Sequence, residues 1–124
     1  MEMININDIK EFKDHKVVKK VPILSNNLMG SLLFIGSDTQ MLPVRTKGSK
    51  EMHLVLDGSG SIEMGEETQT IGPGDLMLVP SNSRYHYSTS DDEMTVLVVR
   101  MVDCGQAEKK EEGDIADFGG NRIS

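Results

Sequence analysis

The chain has 124 residues and a mass of 13.7 kDa, which suits a single domain and leaves no room for two independent cores. Thirteen Lys and Arg against 20 Asp and Glu give a formal charge of -7, and the basic residues form no stripe that could follow a phosphate backbone, so no nucleic-acid partner is expected. Aromatic residues make up 4% with no Trp, which predicts an aliphatic core padded by the 9 Met, and one cysteine, Cys104, excludes an internal disulfide and a thiolate zinc site.

The first residues, MEMININDIKE, lack the basic start and apolar stretch of a leader. No run approaches the ~18 apolar residues of a membrane span, so no membrane partner and a cytoplasmic location are expected. Residues 1-15 read as an N-terminal segment, with Ile6, Ile9 and Phe12 at three-residue spacing suggesting a short helical turn capped by Asn or Asp. Residues 16-102 read as the folded domain. Apolar runs of four to eight residues follow one another there, bounded by Gly, Pro, Asn, Asp and Ser, which is the rhythm of short strands. They are Val17 to Leu24, Leu28 to Ile35, Gln40 to Val44, Glu51 to Leu56, Ser61 to Met64, Thr68 to Ile71, Leu76 to Val79, Tyr85 to Ser88 and Met94 to Val102. Turn chemistry separates them at Asp57-Gly58-Ser59-Gly60, Met64-Gly65-Glu66-Glu67 and Gly72-Pro73-Gly74-Asp75. The four prolines fall at run ends or edge positions, where a missing N–H is tolerated. An all-β antiparallel sandwich or barrel follows. Residues 103-124 form a polar, acidic tail whose only anchors are Ile115 and Phe118.

The stretch EMHLVLDGSGSIEMGEETQTIGPGDLMLVPSNSRYHY resembles the cupin superfamily, whose fold is an antiparallel jelly-roll β-barrel. The first family motif ends in Glu, six residues, Gly, and Glu51 and Gly58 keep that interval; Gly74 and Pro80 keep the five-residue interval of the second motif. The resemblance covers roughly residues 28-102. In metal-binding members the glutamate joins three histidines around a divalent ion. Here the first two histidine positions fall on Arg45-Thr46-Lys47, or on Val44-Arg45-Thr46 with the longer gap, Asn82 replaces the second-motif glycine, and Tyr85 stands where the third imidazole would be. One carboxylate of four ligands survives, and ~3–4 protein ligands are the rule for transition metals, so no bound metal or other cofactor is expected.

Three arrangements of the remaining polar residues are open. His53 lies two residues beyond Glu51 and shares its face, so Glu51, His53 and His86 form a noncanonical metal set if the turn before His86 carries one extra residue. Alternatively His53 packs beside the core with one nitrogen bonded and His86 faces outward. Arg45 and Lys47 share a face near Glu51 and, if inward, make a mixed-charge pocket for an anionic or polyhydroxyl ligand; a plainer alternative puts Arg45, Lys47 and Lys50 on a solvated loop. Tyr85 and Tyr87 share a face that the resemblance turns inward, and a buried hydroxyl needs a partner. Together these observations favour a barrel that binds a small polar or anionic metabolite through Arg45, Lys47, Glu51, His53 and Tyr85, without metal, in a homodimer. Competing with it are an enzyme of the superfamily, either a metal-dependent dioxygenase or isomerase or a metal-independent epimerase or lyase, and a structural or regulatory subunit.

Overall fold

A computed structural model describes residues 1–101. The spacing of Ile6 and Ile9 does produce a helical turn, α1 (Ile6–Ile9), because the Asn5 side chain accepts a hydrogen bond from the Asn7 amide at 2.9 Å. The apolar runs become β1 (Val17–Leu24), β2 (Leu28–Ile35), β3 (Val44–Arg45), β4 (Glu51–Gly58), β5 (Gly60–Met64), β6 (Glu67–Ile71), β7 (Leu76–Val79), β8 (Arg84–Ser88) and β9 (Met94–Met101). Only the run from Gln40 to Val44 is much reduced: Gln40 makes a lone bridge to Ser88, and Pro43, with no N–H to give, delays the ladder until Val44.

The strands pair antiparallel in two sheets, β1-β2-β9-β4-β7 and β3-β8-β5-β6. Neighbours such as β2 and β9, far apart in sequence, give the chain its jelly-roll topology. Sharp turns allow the consecutive hairpins: Gly58 has φ 81°, and a Cβ there would collide with the Glu93 carbonyl oxygen. Pro22 lies in edge strand β1 at a register shift between Lys20 and Ile23, so its lost donor breaks no interior ladder.

Alternation along each strand decides what enters the space between the sheets. Leu33 and Ile35 of β2, Val55 of β4, Met94, Val96 and Val98 of β9, and Ile62 of β5 meet there in one buried cluster. Tyr85 and Tyr87 of β8 belong to the same cluster, which corrects the expectation of a purely aliphatic core: a scarce residue type has been placed where it buries the most surface. The methionines pad the core only in part, with Met29, Met41 and Met94 buried and Met52 and Met101 exposed. The other face of β2 is covered by the N-terminal segment. Phe12 packs edge-on against the buried Phe34 at 5.5 Å, and Lys20 holds Glu11 at 2.9 Å. Farther across the same sheet the outer face stays bare, with Met52, Leu76 and Leu78 of β4 and β7 exposed. Among the described residues no helix is long and apolar enough to cross a membrane. Cys104 and the tail from 103 lie outside the described residues.

Candidate functional site

The polar residues of the interior gather at one end, where β4 begins and β9 ends. Glu51 opens β4 opposite both Arg100 of β9 and Val79 of β7, and two residues on, His53 lies between Val98 and Met77. Because Val98 and Val55 face the core, Glu51 and His53 face it as well. Tyr85 and Tyr87 reach the same place from the opposing sheet, with Tyr85 edge-on to the His53 ring at 5.0 Å.

The contacts form a chain. Tyr87 donates its hydroxyl to His53 Nδ1 at 2.5 Å, and His53 Nε2 donates to Glu51 Oε1 at 2.9 Å. This tautomer follows from the partners, since an ionised carboxylate only accepts and a phenol can donate. The Tyr85 hydroxyl donates to the same Glu51 oxygen at 3.5 Å, and Arg100 Nη1 stands 3.7 Å from Glu51 Oε2. His53 and Tyr87 are fully enclosed, whereas Glu51, Tyr85 and Arg100 keep 4 to 8% of their surface, so solvent approaches the cluster from the Glu51 side.

Two opposing effects act on the Glu51 carboxyl. Burial pushes its pKa up, but the hydrogen bond from His53, with the charges of Arg100 and Lys19 behind it, outweighs burial and holds it below the usual carboxylate range. Glu51 is therefore an anion at neutral pH. Burial, and next the nearby Glu51 charge, push both tyrosines above their ordinary value, so both remain neutral donors. Lys19 is a half-buried residue of β1 paired with Leu33, which puts it on the inward face. Lys19 and Arg100 are thus the two cations that act on the Glu51 carboxylate.

Glu51, His53 and Tyr85 thus converge as the sequence suggests, with both His53 nitrogens bonded where one was expected. Arg45 and Lys47 do not join them. Both are exposed, and the inward residues of that segment are Val44 and Thr46, the pair given by the longer motif gap. Thr46 is spent on structure: its hydroxyl donates to the Pro80 carbonyl at 2.7 Å and accepts from the Ser83 amide at 2.9 Å, fixing β3 to the turn before β8. In that turn Asn82 has φ 58°, a left-handed conformation that glycine adopts at no cost and asparagine tolerates. His86 follows the alternation of β8 away from the interior and lies 3.4 Å from Glu63, its register partner on β5. The exposed His15 accepts no role at the site; its Nδ1 bonds the Asp38 carbonyl at 3.0 Å.

A metal set of Glu51, His53 and His86 is therefore not assembled, and among the described residues no three His, Cys, Asp or Glu side chains group to hold an ion. Glu51 and His53 also use their ligating atoms on each other. The donor set does not fit the divalent metal that the fold accommodates elsewhere. Tyr87 and Arg100 were not singled out from the sequence as site residues, although the two-residue spacing from Tyr85 was a usable signal for the first. A groove of about 410 Å³ runs between β6 and β7, and two of its lining residues, Met77 and Val79, are the register partners of His53 and Glu51.

Known structures share this architecture at low identity. The TT1209 protein of Thermus thermophilus superposes with a TM-score of 0.74 and 19% identity, over 82% of this chain and 98% of that one. A cupin superfamily protein of Desulfitobacterium hafniense DCB-2 gives 0.70 and 16%, over 81% and 90%. The polyketide cyclase RemF of Streptomyces resistomycificus gives 0.69 and 16%, over 83% and 80%. At these identities the likeness is one of fold. No curated protein matches the sequence. The family model of the cupin domain matches residues 37–100, more than half of the chain, and spans Glu51, His53, Tyr85, Tyr87 and Arg100: the protein belongs to the cupin family.

Proposed function

We propose that this chain is a cytoplasmic binding protein that takes a small polar or anionic metabolite into the polar end of its barrel, recognising it through side chains. The observation that carries this reading is the cluster itself. Glu51, His53, Tyr85, Tyr87 and Arg100 are buried and bonded to one another at the place where metal-binding relatives hold their ion, and a core built for stability alone would fill that space with apolar side chains at lower desolvation cost. Arg100 and Lys19, the cations that act on Glu51, replace Arg45 and Lys47 as the cations of the reading.

A thermal-shift screen with small carboxylates tests it. A bound acid raises the wild-type stability by RT ln(1 + [L]/Kd), ~2.7 kcal/mol at one hundred times Kd. The gain is lost in Arg100→Gln and kept in Arg45→Ala. A ligand whose gain survives Arg100→Gln and Glu51→Gln sits outside the barrel interior and overturns the reading.

The assembly proposed with it is a homodimer joined through the bare outer face of β4 and β7, where Met52 and Leu78 are register partners and are 44% and 64% exposed. Sedimentation of wild type and Leu78→Asp checks this: the variant sediments as a monomer, and a wild type that is itself monomeric at high concentration refutes it.

A further inference from the structure

We propose that the flank of the barrel between β6 and β7 takes an extended peptide segment of another protein, which adds a strand to the edge of β7 and lays alternate apolar side chains in the groove beside it. This site lies apart from the Glu51 cluster and stands independently of the interior-metabolite reading.

The starting observation is a contrast among sheet edges. Four strands end the two sheets, β1 and β7 in one, β3 and β6 in the other. An edge strand offers backbone groups to other chains, and three of these four are guarded against it. β1 carries Lys19, Lys20, Pro22 and a register shift. β3 is two residues long and follows Pro43. β6 reads Glu-Thr-Gln-Thr-Ile, polar in all but its last residue. β7 reads Leu-Met-Leu-Val, with no charge, no proline and no register shift against β4.

The ladder shows which backbone groups β7 offers. Gly74 donates to the Val55 carbonyl at 2.9 Å and Val55 to the Asp75 carbonyl at 3.0 Å, a bulge that makes Val55 a hydrogen-bonded position. Antiparallel pairs alternate, so the next hydrogen-bonded pairs are His53 with Met77 and Glu51 with Val79. Leu76 and Leu78 fall between them. Their amides and carbonyls point away from β4, to a side where no described strand pairs with β7.

The groove of about 410 Å³ runs along this edge, with Ile62, Met64, Ile71, Met77 and Val79 among its lining residues. Across it, Gln69 and Glu67 of β6 pair with Ile62 and Met64, which lie in or against the core, so both face inward. Both are nonetheless exposed, which marks this flank as the place where the two sheets part. A second copy pairing through its own β7 would satisfy the edge and leave the groove empty, because its Met77 and Val79 are held in its own barrel. A separate extended segment does both: residues opposite Leu76 and Leu78 bond the edge, and their neighbours put side chains into the groove.

Charge sets the ends of that segment. The short turn Gly72-Pro73-Gly74-Asp75 joins the end of β6 to the start of β7, so Glu67 and Asp75 stand at opposite ends of the groove. Both are exposed, and no lysine or arginine is among the described residues that line it. The fitting segment is therefore apolar at alternate positions and basic at its ends.

The probe is the synthetic peptide Lys-Val-Thr-Val-Thr-Val-Lys, blocked at both termini and with the same side-chain order in either direction. Its binding to the full chain is titrated by calorimetry, and amide hydrogen exchange is followed by NMR. With peptide bound, exchange at the Leu76 and Leu78 amides slows about tenfold or more, whereas the Met77 and Val79 amides, already bonded to β4, are unmoved. Two N-methylated peptides, one blocked at the threonine amides and one at the valine amides, behave differently: one loses binding and the other keeps it, because β7 engages a single edge of the strand. Replacing both lysines by glutamate weakens binding about fivefold, the size of a pair of exposed charge contacts, and Glu67→Lys narrows that preference. No binding at about 1 mM peptide, or binding that both N-methylated forms share equally, overturns the strand addition. Equal binding of the lysine and glutamate peptides overturns the basic ends. Leu76 and Leu78 amides that are already slow in the protein alone overturn the proposal as well: slowing that grows with protein concentration gives the edge to a second copy, and slowing independent of it gives the edge to residues 102–124 of the same chain.

Discussion

The two ends of the barrel interior are built from the same strands and differ in what they spend. At one end β2, β4 and β9 contribute Ile35, Val55, Met94 and Val96, all nearly inaccessible and purely apolar. At the other the same three strands contribute Ser31, Glu51, His53 and Arg100, also buried but polar. The apolar end yields favourable burial for every side chain, whereas the polar end must first recover the desolvation of a carboxylate, a guanidinium and an imidazole through a few hydrogen bonds. Stability is thus concentrated at one end, and the other is free to be specific.

The contrast can be broken most strongly at the apolar end. Ile35 is fully buried, so Ile35→Ala removes several methyl(ene) groups and leaves a cavity, for an expected loss of about 2–5 kcal/mol in chemical denaturation. Ligand-induced stabilisation should be unchanged per mole bound, since Ile35 ends β2 opposite Met94, far along the ladder from the Glu51–Arg100 pair. A loss of ligand response in a protein that remains folded would show that the two ends are not separable.

At the polar end Tyr87→Phe comes next. The phenol is the donor to His53 Nδ1, and its removal leaves a ring nitrogen buried without that partner, which costs about 1–3 kcal/mol. Tyr87→Phe/His53→Phe restores much of the loss if the cost comes from the orphaned nitrogen, because replacing both partners by apolar groups removes the desolvated atom itself. A double variant as unstable as the sum of the singles would place the cost in packing.

Acid should act at this end alone. The folded pKa of Glu51 lies below its unfolded value, so the unfolded state binds the proton first as pH falls. Its contribution is fully present above the unfolded value near ~4.3 and disappears as pH falls through the lowered folded value. Comparing the pH dependence of the urea midpoint in wild type and Glu51→Gln isolates it: the acid limb below about pH 4 is shallower in the variant. Superimposable limbs would mean that Glu51 is not held ionised by its neighbours.

Much of this was legible in the sequence, and the parts that were not have identifiable causes. The strands could be located because apolar runs and turn residues are local signals, and the family was recognisable because Glu51, Gly58, Gly74 and Pro80 keep their intervals. Glu51, His53 and Tyr85 could be brought together by period two and the motif register. Arg45 and Lys47 could not be settled, because a one-residue change in gap length exchanges the two faces, and the turn contacts of Thr46 that select one register are tertiary. Arg100, Lys19 and Ser31 were missed for a related reason. They belong to β9, β1 and β2, strands outside both motifs that meet β4 or one another only through cross-strand pairing.

The smallest expected effect separates the two tyrosines. The Tyr85 hydroxyl reaches Glu51 at 3.5 Å, a long contact beside the 2.9 Å bond from His53, so Tyr85→Phe costs under about 1 kcal/mol at neutral pH. Alkali amplifies the difference. Tyr85 is held well above its ordinary value near ~10 by burial first and by Glu51 next, so on raising the pH the unfolded chain loses its phenol proton while the folded one keeps it. That releases fewer protons from the native state and favours unfolding: the stability contributed by a neutral Tyr85 is complete below ~10 and falls progressively above it. Phenylalanine has no proton to lose. The denaturation midpoint of Tyr85→Phe should therefore sit slightly below wild type at pH 7 and close the gap, or overtake it, above pH ~10. A variant that stays equally far below wild type at both values would mean that the Tyr85 phenol ionises as readily in the barrel as in water, and that the anionic field of Glu51 does not reach it.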